Sequence, residues 1–209
     1  MALVAVPHAE VQLPVAFFLS PKFTPDRIAA FTEAARRQPQ HVRIADSVEE
    51  GALWVLPAFD IEEVTQLERR RCRVIGGPLA ERLLRDPSVL GRMPRLPVFD
   101  LVFRPGAAIC CTGLEPLERV RCTTLARWLG GRVADELGPD VVVLVTTRVS
   151  LLPDSKYQAA LARRVPVVRP SFLEAMWEAK ADIDMSPHIL PSLSGLGICF
   201  GGLQGSAFE

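Results

Sequence analysis

The sequence predicts an α/β protein made of two tandem units, each a small central parallel sheet flanked by helices in the order β-α-β-β-α-β-α. Three observations carry this expectation. Short apolar runs alternate with helical segments, the pattern that joins parallel strands through helical crossovers. The same seven-element order occurs twice, in about a hundred residues each time, which marks an internal repeat. The length of 209 residues suits two small domains, at roughly 100–200 residues per domain.

The first unit opens with a strand at residues 15–20, stopped by Pro21 and Pro25. Residues 26–37 read as a helix, with Ile28, Ala29, Phe31, Ala34 and Ala35 near one face. Strands are expected at 41–45 and 53–56, a helix at 61–71, a strand at 73–75, and a helix at 78–85 opened by Pro78. Residues 86–105 carry Pro87, Pro94, Pro97 and Pro105, a density that marks a linker, although the apolar run at 98–103 has the makings of a strand.

The second unit repeats the order more legibly. A strand at 107–111 leads into a helix at 115–129, with Leu117, Val120, Thr124, Leu125 and Trp128 assigned to its apolar face. Gly130 and Gly131 end that helix, glycine being the residue that turns φ positive without strain. Strands follow at 132–136 and 141–146; the second is continuously apolar, as suits a strand covered on both faces. A helix at 154–164, a strand at 165–168 and a helix at 170–180 complete the unit. Residues 196–200 look like the first strand of a further unit. The expected domains are therefore 1–98, 99–190, and 191–209 as a linker with that incomplete beginning.

Composition narrows the function. Lys plus Arg equals Asp plus Glu at 24 each, so net charge is zero. Binding to duplex DNA through its phosphates calls for a basic excess, so direct DNA binding is unlikely, a local patch aside. Five cysteines and three histidines show no Cys-x-x-Cys pair and no zinc spacing, so no metal and no cofactor are expected. Cys110 and Cys111, adjacent on a strand, face opposite ways and cannot share a site. No apolar run reaches the ~18 residues a membrane span needs, and residues 1–19 make a poor signal peptide, so no membrane partner is expected. Phosphate-loop, nucleophile-elbow and zinc-protease motifs are absent, and the chain is read as non-enzymatic with no catalytic residue.

One constellation bears chemistry. Thr112 and Gly113 end a strand and lead into a helix: the threonine offers a hydroxyl, the glycine lets its N–H approach a ligand, and the helix start adds open donors. Such a place favours an anion, phosphate above all. Lys156, at the opening of the next helix, is able to bring an ammonium to it, and Arg119 to assist.

At these residues the chain resembles a known family. Residues 107–180 are similar to a BRCT repeat, the phosphopeptide-binding module of DNA-damage proteins. The matching features are Cys-Thr-Gly-Leu at 111–114, Gly130-Gly131, the apolar third strand, Ser-Lys-Tyr at 155–157 with Ala159-Ala160, and Val-Val-Arg-Pro-Ser-Phe at 167–172. The resemblance implies that Thr112, Gly113 and Lys156 grip the phosphate, with Arg119 beside them. The family's usual tryptophan of the third helix is Phe172 here. The first unit departs further: its first strand ends Leu-Ser-Pro-Lys at 19–22, and its second helix starts with Asp60, Glu62 and Glu63, whose charge repels phosphate. The first unit is read as packing support. The resemblance thus implies a nuclear scaffold of the DNA-damage checkpoint and of replication initiation, with phosphorylated Ser/Thr motifs as partners, such as the tail of the checkpoint clamp or replication initiation factors. An alternative is the amino-terminal regulatory region of a Rho guanine-nucleotide exchange factor in cytokinesis.

Overall fold

In the first unit β1 (Val15–Leu19), α1 (Pro25–Arg36), β2 (Val42–Ile44), β3 (Leu53–Leu56), α2 (Ile61–Arg69), β4 (Arg73–Gly76) and α3 (Gly77–Arg85) follow one another as the sequence leads one to expect. The computed structural model describes residues 14–92 and 96–197, and the chain divides between Leu101 and Val102 into two compact units. The first sheet is wholly parallel in the order β2-β1-β3-β4. Local chemistry sets the helix starts. Thr24 accepts a hydrogen bond from Arg27 N–H ahead of Pro25, and the Asp60 carboxylate accepts from the N–H groups of Glu62 and Glu63. Alternation along the strands sends Phe17, Leu53 and Val55 into a core with Phe31, Ala35, Leu79 and Leu83. Phe18 and Trp54 fall on the other face, their rings 4.7 Å apart.

After α3 a 3-10 helix (Pro87–Arg92) leads away, and the chain returns at Val98, which forms a parallel bridge with Ile75. Gly76 N–H donates to Val98 C=O at 2.9 Å. Phe99 lies directly over Gly76, so close that an added Cβ would meet Phe99 O at 2.3 Å. Buried Asp100 accepts two hydrogen bonds from the Arg82 guanidinium, at 2.7 and 3.2 Å. The expected strand at 98–103 is thus reduced to one bridge, because the ion pair and Phe99 turn the backbone away after Val98. Pro94 lies outside the described residues.

The second unit repeats the arrangement with β5 (Ala108–Cys111), α4 (Pro116–Trp128), β6 (Arg132–Ala134), β7 (Val141–Val145), α5 (Lys156–Ala162), β8 (Val167–Val168) and α6 (Ser171–Ala179). Its sheet is parallel in the order β6-β5-β7-β8. Every residue of β5 is buried, as a central strand covered by helices must be. Phe103 packs against Gly131, where an added Cβ would meet Ile109 Cδ1 at 2.4 Å and Phe103 Cδ2 at 2.9 Å. Of the glycine pair ending α4, only Gly130 has a positive φ, +82°; Gly131 is needed for close approach instead.

One expectation is corrected. Leu117 and Val120 are not on the buried face of α4: they are 84% and 61% exposed, whereas Cys122, Leu125, Ala126 and Trp128 are buried. The burial follows the i, i+3, i+4 rows through Cys122, and the first turn of α4 runs beyond the core. After α6 the chain comes back beside β8, with Ile189 bridged antiparallel to Val168 and Leu190 N–H bonded to Val167 C=O at 2.9 Å. Residues 191–197 stay on this unit: Ser194 C=O accepts from Val149 N–H at 2.9 Å, and Leu196 packs against the core. Leu196 and Gly197 are not in a strand, and the rest of the expected strand, 198–200, lies outside the described residues. No helix among the described residues is long and apolar enough to cross a membrane.

The burial of Pro97, Val98, Phe99, Asp100 and Phe103 makes a direct prediction. Proteases need a locally unfolded stretch of backbone. Limited chymotrypsin digestion of the folded chain should spare residues 97–103, including the bonds after Phe99 and Leu101. Early cutting there would mean that this segment is an open tether.

Candidate functional site

Sheet order alone brings the chemistry of the second unit together. The central strand β5 lies between β6 and β7, so the residue after it, Thr112, emerges between the ends of both. Thr112 N–H is bonded to Val145 C=O at 3.0 Å, which fixes the backbone. The Thr112 hydroxyl has no protein partner among the described residues. Gly113 has φ +61°, a left-handed conformation that a Cβ would strain, and an added Cβ would stand 3.1 Å from the buried Thr146 hydroxyl. The Gly113 carbonyl is tied down by Thr147 Oγ1 at 3.0 Å. Its N–H has no acceptor among the described residues.

The following helix adds open donors. Glu115 occupies the N-cap of α4 without a side-chain capping bond, and Pro116 stands in the first turn, so among the described residues the first-turn N–H groups have no capping partner at the positive end of the helix. Arg119 belongs to the same helix, and its guanidinium has no ion pair among the described residues. Ser155 caps α5 by accepting from Gln158 N–H, so Lys156 is the first helical residue. Its ammonium reaches across the end of β5 and donates to Asp135 C=O, just past β6. Among the described residues one of its three donors is used, which leaves two for a ligand.

Arg119 and Lys156 both lie within electrostatic range of the two strand cysteines, as does the Asp135 carboxylate for Cys110. Burial pushes the Cys111 thiol up to about 11, while the charges of Arg119 and then Lys156 pull it down. Burial likewise raises Cys110, against Lys156 and Arg119. Arg119 and Lys156 therefore both act at the end of β5, where Thr112 and Gly113 emerge. The two cysteines do face opposite ways: Cys110 belongs to the core cluster that holds Tyr157 and Ala160, and Cys111 bears on buried Cys122 of α4.

Arg148 is a neighbour that sequence reading missed. It follows β7, its side chain is exposed, and its Nε lies 3.6 Å from where a Cβ on Gly113 would stand. The buried Thr146 hydroxyl accepts from Arg148 N–H and donates to Arg148 C=O, fixing this loop. Only the pairing of β7 with β5 puts it beside Gly113, and no local motif signals that pairing. The corresponding place in the first unit is different: Lys22 is paired with Glu63 at 2.8 Å, so a carboxylate of its own chain already meets that cation.

What the cluster can do follows from its donors. A hydroxyl, open N–H groups and three cations suit an oxyanion with several acceptors. The thiols are poor nucleophiles, since burial holds them protonated, Cys122 up to about 12. Among the described residues no group of three His, Cys, Asp or Glu side chains is placed to hold a metal. At pH 8, Cys110, Cys111 and Cys122 should therefore resist iodoacetamide in the folded protein and react on unfolding. Rapid labelling of any of the three would contradict the burial described.

Residues 106–177 match the family model of the BRCA1 C Terminus (BRCT) domain. That match spans most of the second unit, and the first unit repeats the same order of strands and helices. Among solved structures the chain is similar to the Rad4 BRCT1,2 region in complex with a Crb2 phosphopeptide, at 16% identity and a TM-score of 0.39, over 85% of this chain and 98% of that one. It is similar to the S. pombe Rad4 BRCT3,4 region at 20% identity and a TM-score of 0.37, over 86% of this chain and 98% of that one. The C-terminal BRCT domain of human XRCC1 is similar at 18% identity and a TM-score of 0.38, over 44% of this chain and 94% of that one.

Proposed function

We propose that this protein is a non-catalytic scaffold whose second unit binds phosphorylated Ser/Thr motifs of other proteins through Thr112, Gly113, Arg119 and Lys156. The observation that carries the reading is the turn after β5, whose Thr112 hydroxyl and Gly113 N–H have no partner among the described residues, with Lys156 held beside it at the Asp135 carbonyl and Arg119 on the helix that follows. A phosphate dianion there would accept from the Thr112 hydroxyl, the Gly113 N–H and both cations. Charge-assisted bonds of this kind contribute about 1.5–3 kcal/mol each. The BRCT match of residues 106–177 supports the same assignment.

The setting we propose is nuclear: the DNA-damage checkpoint and the initiation of replication, with partners such as the checkpoint-clamp tail or a replication initiation factor. The tandem arrangement resembles the amino-terminal BRCT region of DNA topoisomerase 2-binding protein 1. The first unit lacks the pocket in this reading, because Glu63 occupies Lys22 and Asp60 caps α2. The test is capture of phosphoserine and phosphothreonine peptides from a nuclear digest on the immobilised chain. Phosphorylated peptides should be enriched and lost after phosphatase treatment; equal capture before and after would overturn the reading.

A further inference from the structure

A basic cavity lies in the first unit at the end of its sheet where β3 and β4 begin. It has a volume of about 510 Å³ and is lined by the β2–β3 loop at residues 48–52, by Trp54, and by Arg70, Arg71, Cys72 and Arg73. The charge balance is one-sided. The hydrogen bond from Arg43 engages Glu49 and holds its carboxyl below the usual range, so Glu49 is already answered. Arg70 and Arg71 have no ion pair among the described residues, and Arg73 has only a long bond to Gly51 C=O at 3.5 Å. Three guanidinium groups against Glu50 leave the wall positive.

Two further features single this wall out. Trp54 is half-buried; its ring packs on Phe18 and also lines the cavity, so an aromatic surface stands beside the arginines. Arg71 has φ +59°, a conformation in which glycine would be free of strain. The second unit has a left-handed arginine at the matching turn, Arg164, but its strand β7 reads Val-Val-Val-Leu-Val and offers no ring. The pairing of arginines with an aromatic wall is thus a property of the first unit.

We infer that this cavity binds a nucleoside phosphate, its base against Trp54 and its phosphate on Arg70, Arg71 and Arg73. Bases stack on aromatic side chains whatever their sequence, and arginine forks match phosphate oxygens. A zero net charge disfavours a long track along duplex DNA but not a single pocket. The unit bound is either a free nucleotide or the end of a single strand. The site is separate from the Thr112–Lys156 cluster and does not depend on it.

The test follows the Trp54 indole N–H resonance of the full chain, assigned through Trp54→Phe, during titration with adenosine 5′-monophosphate, 5′-phosphorylated oligo(dT) or inorganic phosphate. Saturable movement with the mononucleotide or the oligonucleotide is expected, and much tighter binding of the oligonucleotide would identify a strand end. Arg71→Gly removes a charge where glycine suits the backbone, so it should weaken binding about tenfold without lowering the thermal midpoint. Lys156→Glu should leave this binding unchanged. A Trp54 resonance unmoved by both nucleotides at millimolar concentration, the same shift from inorganic phosphate alone, or full affinity in Arg71→Gly would overturn the inference.

Discussion

Lys156→Glu should weaken phosphopeptide binding by about a hundredfold or more and leave the fold standing. Losing one charge-assisted bond of about 1.5–3 kcal/mol lowers affinity roughly ten- to a hundredfold, and the introduced carboxylate repels the phosphate besides. The structural cost is small, because Lys156 is half-buried and its partner among the described residues is the Asp135 carbonyl at an exposed residue. The thermal midpoint should move by less than about 4 °C, which corresponds to under 1 kcal/mol for a domain of this size. Lys156→Gln separates charge from hydrogen bonding: it keeps a donor for Asp135 and should still lose most of the affinity. Isothermal titration with one phosphopeptide and its unphosphorylated form measures both variants.

Gly76→Ala should have the largest effect on stability. An added Cβ would stand 2.3 Å from Phe99 O and 2.5 Å from its ring carbon Cδ2. The backbone at Phe99 cannot yield freely, since Val98 is bridged to Ile75 on one side and Asp100 is held by Arg82 on the other. Overpacking a site without slack costs typically about 1–3 kcal/mol and more where backbone must shift, so a loss of about 3 kcal/mol is expected. Denaturant unfolding should show an early transition for the first unit, while phosphopeptide affinity persists, because the proposed site lies wholly in the second. Gly91, which has nothing within 4 Å of an added Cβ, is the control: Gly91→Ala should be nearly neutral.

The elements were legible because their boundaries are written locally. Thr24, Asp60 and Ser155 cap the helices they precede, and the continuous apolar run at 141–145 announces a strand covered on both faces. The turn at Thr112–Gly113 was legible for the same reason. What depends on which strands become neighbours was not. Arg148 reaches Gly113 only through the pairing of β7 with β5, and the close approach of Phe99 to Gly76 depends on the return of the chain to β4. Leu117 and Val120 were placed in the core because a helical period identifies an apolar stripe but not where the sheet beneath it ends. Residues 191–197 read as a linker by composition, yet the hydrogen bonds of Ser194 with Val149 and Thr147 and the half-buried Leu196 keep them on the second unit.

The central claim is that phosphate is held at the turn after β5, and the backbone amide of Gly113 reports on that place directly. In a ¹⁵N-labelled sample, a phosphoserine or phosphothreonine peptide recovered from the nuclear digest should move the Gly113 N–H resonance downfield in a saturable manner, as a new charge-assisted hydrogen bond does, with Thr112 following. The unphosphorylated peptide should leave both resonances in place. Saturable binding of the phosphopeptide with the Gly113 and Thr112 resonances unmoved would contradict the account, because the phosphate would then be held elsewhere.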